Sequence, residues 1–390
     1  MANNNDKKVL NVPVLRFPEF TEEWKRIRVS DLLDFYSTNS LSWEQLEYES
    51  NEPYNLHYGL IHVGLPTLVD LTKDKLPSIK EENVPKKYEL CKEGDVAFAD
   101  ASEDTNEVAK VVEFYNLDGK KVVCGLHTIH GRDNNKQTAK GFLGYCFSST
   151  VFHNQIRRIA QGTKIYSINT RNFSEVFVGL PSKSEQHKIA TLLRLIDEHI
   201  STQNKIIEKL QSLIKGIAQN IVLRNKPNVR ISQCLECISS TLQESDVLEY
   251  GAYPVYGANG VVGFLDNYNT SNEAIYIIKD GSGVGAVSYV AGKCSATGTL
   301  NILQAKKGFS LRYLYYLLNI FNFEPYKTGM AIPHIYFKDY GKAQIFCPSY
   351  SEQLKYAKFL ATIDDKLLTE QNVLINLSLQ KQYLLRQMFI

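Results

Sequence analysis

Ile189, Leu193, Ile196, Ile200, Gln203, Ile207, Leu210, Ile214, Ile217 and Ile221 follow one another at strictly alternating spacings of four and three. That is a heptad seam, and a helix of about 40 residues rises about 60 Å, several times the length usual in a globular domain. A single apolar stripe of that length needs an equally long partner. The chain supplies one 167 residues later: Tyr356, Leu360, Ile363, Leu367, Glu370, Leu374, Leu377, Lys381, Leu384 and Met388 repeat the spacing. Pairing of the two stripes as a coiled coil is the favoured reading; separate packing of each helix on its own neighbouring domain is the alternative. Both stripes carry a polar residue at the same rung, Gln203 and Glu370, a device that fixes register at some cost in stability.

The same shift of 167 superposes PSKSEQ at 181–186 on PSYSEQ at 348–353, each opening one of the long stripes. Ser184 and Ser351 are expected to be the N-caps, with Glu and Gln following them to meet the free backbone N–H groups and the helix dipole. In the same frame, Gly162-Thr-Lys-Ile165-Tyr-Ser-Ile168 aligns with Gly329-Met-Ala-Ile332-Pro-His-Ile335. A weaker echo, shifted by 202, links Arg28-Val-Ser-Asp-Leu-Leu33 to Arg230-Ile-Ser-Gln-Cys-Leu235. The chain therefore reads as two copies of a globular domain followed by a long helix. Expected boundaries are a flexible tail over 1–12, a first domain over 13–180, a long helix over 181–224, a second domain over 225–347 and a second long helix over 348–390.

Within the domains, short β-branched and aromatic runs alternate with turn signals. Val96–Ala99, Ala109–Phe114 and Lys121–Cys124 are expected strands, the last two joined as a hairpin through Asn-Leu-Asp-Gly at 116–119. In the second domain the strands are Pro254–Tyr256, Val261–Leu265, Ala274–Ile278, Ala286–Val290 and Thr299–Leu303, closed by a helix over Leu311–Ile320. The fold class is mixed α/β: two mainly β-scaffolded domains and two long helices forming an antiparallel coiled coil. Of 23 tyrosines, 12 fall between residues 225 and 347, and sheet packing accounts for most of them.

Composition narrows the setting. No apolar run approaches the roughly 20 residues of a membrane span, and the opening MANNNDKK lacks the apolar core of a signal peptide, so a cytoplasmic location is expected. Seven cysteines at irregular spacing make no disulfide framework, and the lone Cys234-x-x-Cys237 has no second pair to complete a zinc site. A net charge of +2 means that any nucleic acid must be met by local basic patches.

Catalytic signatures are sparse. The stretch Asp280-Gly-Ser-Gly-Val-Gly285 looks like a phosphate loop, but strand-like Ala-Val-Ser-Tyr-Val follows it, so a turn between strands is expected. Asp100 with Asp118 and Lys120 is the one set that could serve a metal-dependent nuclease, although Asp118-Gly119 suits a tight turn. His57, His62, His127 and His130 crowd together in sequence without carboxylate or cysteine spacing that would mark a metal site. There is no Gly-x-Ser-x-Gly elbow, no P-loop and no glycine-rich cofactor loop with an Asn/Asp-Pro-Pro tetrad. A coiled-coil adaptor that binds only proteins remains a third possibility.

Two variable domains, each followed by a repeated Pro-x-x-x-Glu-Gln helix, resemble the specificity subunits of type I restriction–modification enzymes. Val12-Pro-Val-Leu-Arg-Phe-Pro-Glu-Phe-Thr-Glu-Glu-Trp24, Gly94-Asp-Val-Ala-Phe98 and Tyr253-Pro-Val-Tyr-Gly-Ala-Asn-Gly260 add to the likeness, which covers essentially the whole chain. The resemblance implies a non-catalytic chain whose domains each read one half of a bipartite, asymmetric double-stranded DNA target. It also implies paired helices that set the spacing and dock methyltransferase subunits, two of them, with restriction subunits completing the complex. S-adenosylmethionine, ATP and Mg are then expected on those partners and no cofactor or metal on this chain. Candidate DNA contacts, chosen by residue type and loop position, are Lys164, Tyr166, Asn169 and Arg171 in the first domain. In the second they are Tyr256, Asn259, Lys279, Ser282, Lys293 and His334.

Overall fold

A computed structural model describes residues 11–48 and 52–390. Most of the expected tail thus lies outside the described residues, but its last part is anchored. Asn11 accepts from the Trp24 amide at 2.9 Å and returns its side-chain amide to the Trp24 carbonyl at 2.7 Å. The chain forms two compact units, one comprising residues up to Thr202 together with Leu374–Ile390, the other Gln203–Val373.

The first unit is built on a five-stranded sheet in the order Asp34–Tyr36, Thr128–Arg132, Val96–Ala99, Val111–Asn116, Leu68–Asp70, antiparallel except at the last pair. Val96–Ala99 is buried at every position, as its unbroken apolar run requires of a central strand. Phe98 meets Phe147 and Phe173 with ring centroids at 4.9 and 4.7 Å, and this aromatic core seats the helices Phe142–Phe147 and Thr150–Ile159. A second sheet runs Val122–Cys124, Tyr54–Leu56, Ser78–Ile79, Leu46–Glu47. Here the expected hairpin fails. Asp118 and Gly119 do turn with positive φ, 53° and 70°. However, Val111–Asn116 stays in the first sheet, while Val122–Cys124 leaves to pair in parallel with Tyr54–Leu56. The local turn chemistry was sound; partner choice is a tertiary matter that a turn does not decide.

The second unit carries a four-stranded antiparallel sheet, Leu235–Ser239, Leu300–Ala305, Ala274–Ile278, Val287–Val290. A smaller sheet runs Gly260–Leu265, Tyr253–Gly257, Ser295–Ala296. The glycine-rich stretch 280–285 is the turn between Ala274–Ile278 and Val287–Val290, with Gly281 and Gly285 at positive φ. Tyr276, Tyr313, Tyr316 and Tyr340 are buried with their hydroxyls engaged. Tyr276 meets Thr270 at 2.8 Å and Tyr313 donates to the Phe346 carbonyl at 3.0 Å. Tyr316 donates to Asp364 at 3.1 Å, and Tyr340 accepts from Asn301 at 3.1 Å. The tyrosine excess thus largely builds the core.

The weak echo in sequence is structural. Lys25–Arg28 pairs antiparallel with Phe177–Leu180 and leads into the helical turn Val29–Leu32. In the second unit Val229–Arg230 pairs antiparallel with Gln344–Ile345 and leads into the turn Ile231–Cys234.

Two long helices, Lys183–Leu223 and Tyr350–Gln387, span 41 and 38 residues. Within the second unit Ile217 and Ile221 share a core with Tyr356 and Ala357, and Gln203 donates to the Glu370 carbonyl at 3.0 Å. Within the first, Leu193, Ile196 and Ile200 share a core with Leu384, Leu385 and Met388. Residue numbers rise along one helix as they fall along the other, so the pairing is antiparallel. Every rung of both seams is buried or half-buried. The end of the second helix is packed: Met388 and Phe389 are buried and Phe389 meets Trp24 edge-on at 6.4 Å. Lys381, out of place in an apolar seam, reaches Asp197 at 2.6 Å.

Candidate nucleic-acid interface and helix joints

The repeated hexapeptide is a joint. The expected caps, Ser184 and Ser351, give way to the serines two residues earlier. The amide of Glu185 points to Ser182 Oγ at 3.4 Å, and Ser349 Oγ donates to Glu352 at 2.6 Å while Glu352 also accepts from the Ser349 amide. Placing the cap there puts Glu at the third helical position, the spacing of a capping box. Gln186 and Gln353 then do the same work twice. Each donates from its side-chain amide to the carbonyl of the proline that opens the motif, Pro181 or Pro348, at 2.9 Å. Each also accepts a domain amide, Ala139 N–H at 2.7 Å and Ser310 N–H at 2.9 Å. The two glutamates differ: Glu185 is buried and takes both Arg16 Nε and Nη2, at 2.7 and 2.8 Å, plus Trp24 Nε1 at 3.2 Å.

The other repeated stretch closes a loop in each unit with one geometry. Gln161 and Ser167 exchange backbone bonds, as do Thr328 and His334. Gly162 and Gly329 sit at positive φ, and a Cβ on either would lie 1.9 or 2.3 Å from the carbonyl oxygen of Ile165 or Ile332, which is why both are glycine. The amide of Ile168 donates to the Asp100 carbonyl at 2.9 Å and the Asp100 amide to the His127 carbonyl at 3.0 Å. In the second unit Ile335 donates to the Lys279 carbonyl at 2.9 Å and Lys279 to the Thr299 carbonyl at 3.0 Å. One backbone device thus carries Asp100 and His127 in one unit, Lys279 and Thr299 in the other.

This geometry sorts the candidate DNA contacts. Lys164 is exposed at the tip of the first loop, beside exposed Ile165, and Tyr166 pairs with Ser102. Asn169 spends its side-chain oxygen capping the helix Thr170–Ser174 through the Asn172 amide at 2.8 Å, whereas Arg171 is exposed. In the second unit Lys279, Ser282 and His334 are brought together by the Ile335–Lys279 bond and by Gly281 N–H on the Pro333 carbonyl at 2.9 Å. Tyr256 joins the same strip through its carbonyl, bonded by the Thr297 amide, and meets Tyr276 edge-on at 5.9 Å. Asn259 is exposed in a separate hairpin turn, and Lys293 lies over Tyr268 and Tyr253 at 4.9 and 5.7 Å.

The nuclease set does not assemble. Asp100 is paired with His127 at 3.1 Å, and Asp118 with its own turn neighbour Lys120 at 3.2 Å. The position of Asp100 is filled by Lys279 in the second copy, the opposite charge from the one a metal needs. Of the four histidines, His57, His62 and His127 surround Tyr58 at 4.7, 6.0 and 5.2 Å. Burial, with the neighbouring His127 charge adding, pushes the His57 imidazole down, consistent with its Nδ1 accepting the Gly59 amide at 3.1 Å. His130 stands apart, buried among other groups. The alignment of the two loops was read from sequence, but the anchoring by Gln186 and Gln353 and the backbone closure of the loops were not; the signal was present in the last letter shared by the two hexapeptides and in the two glycines of the aligned loop.

A family model for the type I restriction modification DNA specificity domain matches residues 21–212 and 229–377. A putative type I specificity subunit of Mycoplasma genitalium is 25% identical over 260 residues, covering 60% of this chain and 67% of that protein. The EcoprrI specificity subunit of Escherichia coli is 25% identical over 32% of this chain and 30% of that protein. Among solved structures, the S subunit of a type I restriction-modification system from M. genitalium aligns with TM-score 0.65 at 18% identity, covering 97% of this chain and 99% of that one. A chain from a study of type I R-M complex assembly and conformational transition aligns with TM-score 0.54 at 15% identity, covering 94% and 97%. The family match takes in both copies of the repeat and most of both long helices, and on it the chain belongs to the type I restriction modification DNA specificity family.

Proposed function

We propose that this chain is the non-catalytic, sequence-reading subunit of a type I restriction–modification complex. Each unit reads one half of a bipartite, asymmetric double-stranded DNA target. The observation that carries this reading is the duplicated loop device, which holds Asp100 and His127 in one unit but Lys279 and Thr299 in the other. One scaffold with opposite charge and different donors at matched positions suits two different half-sites, since base edges are told apart by donor and acceptor pattern. Exposed Lys164 and Arg171 supply charge for phosphate contacts that set affinity and register.

The long helices set the distance between half-sites and dock methyltransferase subunits, two in number, with restriction subunits completing the endonuclease. Beyond its seam, the second long helix exposes Leu354 and Leu368 within the second unit, two full heptads apart on one face and available to a partner. S-adenosylmethionine, ATP and Mg belong to the partners. No helix among the described residues is long and apolar enough to cross a membrane, which accords with a cytoplasmic complex.

The test is reconstitution. The purified chain alone should neither methylate nor cleave DNA, and adding methyltransferase subunits should give adenine methylation at one split sequence. Methyl transfer or magnesium-dependent cleavage by the chain alone would overturn the reading.

A further inference from the structure

In the first unit the Sγ atoms of Cys91 and Cys124 lie 3.5 Å apart, and they and a ring nitrogen of His130 all fall within 4.8 Å of one another. All three residues are buried, His130 completely. We propose that Cys91, Cys124 and His130 form a structural binding site for a zinc-class divalent cation.

The imidazole makes the strongest case. His130 Nε2 is held by Asp95 Oδ2 at 2.7 Å, so in the neutral ring the proton belongs on Nε2, facing the carboxylate, and Nδ1 presents its lone pair. Nδ1 is buried with no hydrogen-bond partner, an arrangement that costs free energy unless something accepts that lone pair. A carboxylate behind a histidine is also how metal-binding imidazoles are oriented. Buried cysteines packed as small hydrophobes need no such neighbour.

Charge and size fit as well. Two thiolates and one neutral imidazole carry two negative charges, which a divalent ion neutralises inside the core. The nearby cation, Arg132, is already taken up by Asp95 at 2.8 Å and by Glu89 at 2.8 Å. Zinc–sulfur and zinc–nitrogen bonds of about 2.3 and 2.1 Å in tetrahedral array bring ligand atoms to roughly 3.5–3.8 Å of each other; the two sulfurs stand at 3.5 Å and the nitrogen within 4.8 Å of both. Among the described residues no fourth Cys, His, Asp or Glu joins the cluster, so the fourth position falls to an exogenous ligand.

The ligands come from different parts of the unit. His130 lies in the five-stranded sheet, Cys124 ends a strand of the four-stranded sheet, and Cys91 lies in the loop 85–95. An ion there would tie the two sheets together directly behind Gly125 and the His127 turn, stiffening the loop that carries the candidate base-reading pair Asp100 and His127.

The experiment is metal analysis of the full chain purified reduced and without chelator. About one equivalent of zinc is expected, and exchange with cobalt should give thiolate-to-cobalt charge-transfer bands in the near ultraviolet. Cys91→Ser and Cys124→Ser should lower zinc at least tenfold, while Cys294→Ser, in the other unit, should leave it unchanged. The cobalt spectrum of the unaltered chain decides the matter even where a variant fails to fold. Folded, reduced protein that takes up neither zinc nor cobalt, or that keeps its metal in both serine variants, would overturn the site.

Discussion

Gln203 donates its side-chain amide to both the carbonyl and the carboxylate of Glu370, and Lys366 pairs with the same carboxylate. The two residues occupy the same rung of the repeat, 167 positions apart, and an antiparallel pairing brings such rungs together only near the middle of the seam. Polar rungs of this kind select register, because any slip would bury an unpaired amide against leucine. Gln203→Leu should therefore lower the melting temperature by a few degrees, and adding Glu370→Leu should recover most of the loss. Differential scanning calorimetry of the cycle checks this; a double variant no better than the single would remove the register role.

Lys366 and Gln203 also hold the Glu370 carboxyl below the usual carboxylate range. A lowered folded pKa contributes stability above the ordinary carboxylate value, lost as pH falls through the folded one. Acid titration of the melting temperature should show this loss in the native chain and not in Glu370→Leu.

Glu113 works in the opposite sense. It is fully buried and accepts the Gly141 and Gly144 amides at 2.5 and 2.8 Å, yet burial outweighs these bonds and pushes its carboxyl up to about 7. The folded state then binds a proton that the unfolded state has released. Stability from this group is complete below about pH 4.5 and declines until the pH passes about 7, by about 3 kcal/mol in all. Urea unfolding of native chain and Glu113→Gln between pH 5 and 8 should differ by that slope. Parallel profiles would refute it.

The joint at each long helix makes a further stability prediction. Gln186 and Gln353 are buried, and Glu in place of either keeps the acceptor for Ala139 or Ser310 but sets a carboxylate against the proline carbonyl. Each change should cost about 1–3 kcal/mol in denaturant unfolding. A cost near zero would mean the anchor is ornamental.

The seam and its polar rung, the Val96–Ala99 and Ala274–Ile278 strands and the helix at Leu311 were legible because periodicity and short-range propensity are properties of contiguous sequence. The cap was misplaced by two residues because both serines in PSKSEQ satisfy a capping rule and only the reach of Gln186 to Pro181 and Ala139 separates them. The hairpin at Asp118 failed because strand partners are chosen by the whole sheet. The candidate metal cluster was invisible: Cys91, Cys124 and His130 have no characteristic spacing, and only the folding of two sheets brings them together.

Among the proposed base readers, Asp100 and Lys279 make the sharpest contrast, being matched in backbone and opposite in charge. With methyltransferase subunits present, Asp100→Ala should relax preference in one half-site and Lys279→Ala in the other, each by about 1–3 kcal/mol of discrimination. Methylation mapping on a degenerate library reads both halves at once. Loss of preference in both halves from either change would contradict one unit reading one half.

The proposed role of the helices as a spacer gives the last prediction. The antiparallel partner constrains how it can be tested: four residues inserted after Gln203 alone would rotate every later rung of that helix away from the facing seam of Ile363, Leu367 and Glu370, and the pairing itself would fail. A whole heptad inserted after Gln203 together with one between Thr369 and Glu370 keeps Gln203 facing Glu370, leaves both seams in phase and lengthens the pair by about 10 Å. At about 3.4 Å per base pair, the preferred gap between half-sites should grow by about three base pairs, with both half-sites unchanged. Methylated-site mapping with the double insertion decides it: an unchanged gap would show that something other than the helices sets the distance.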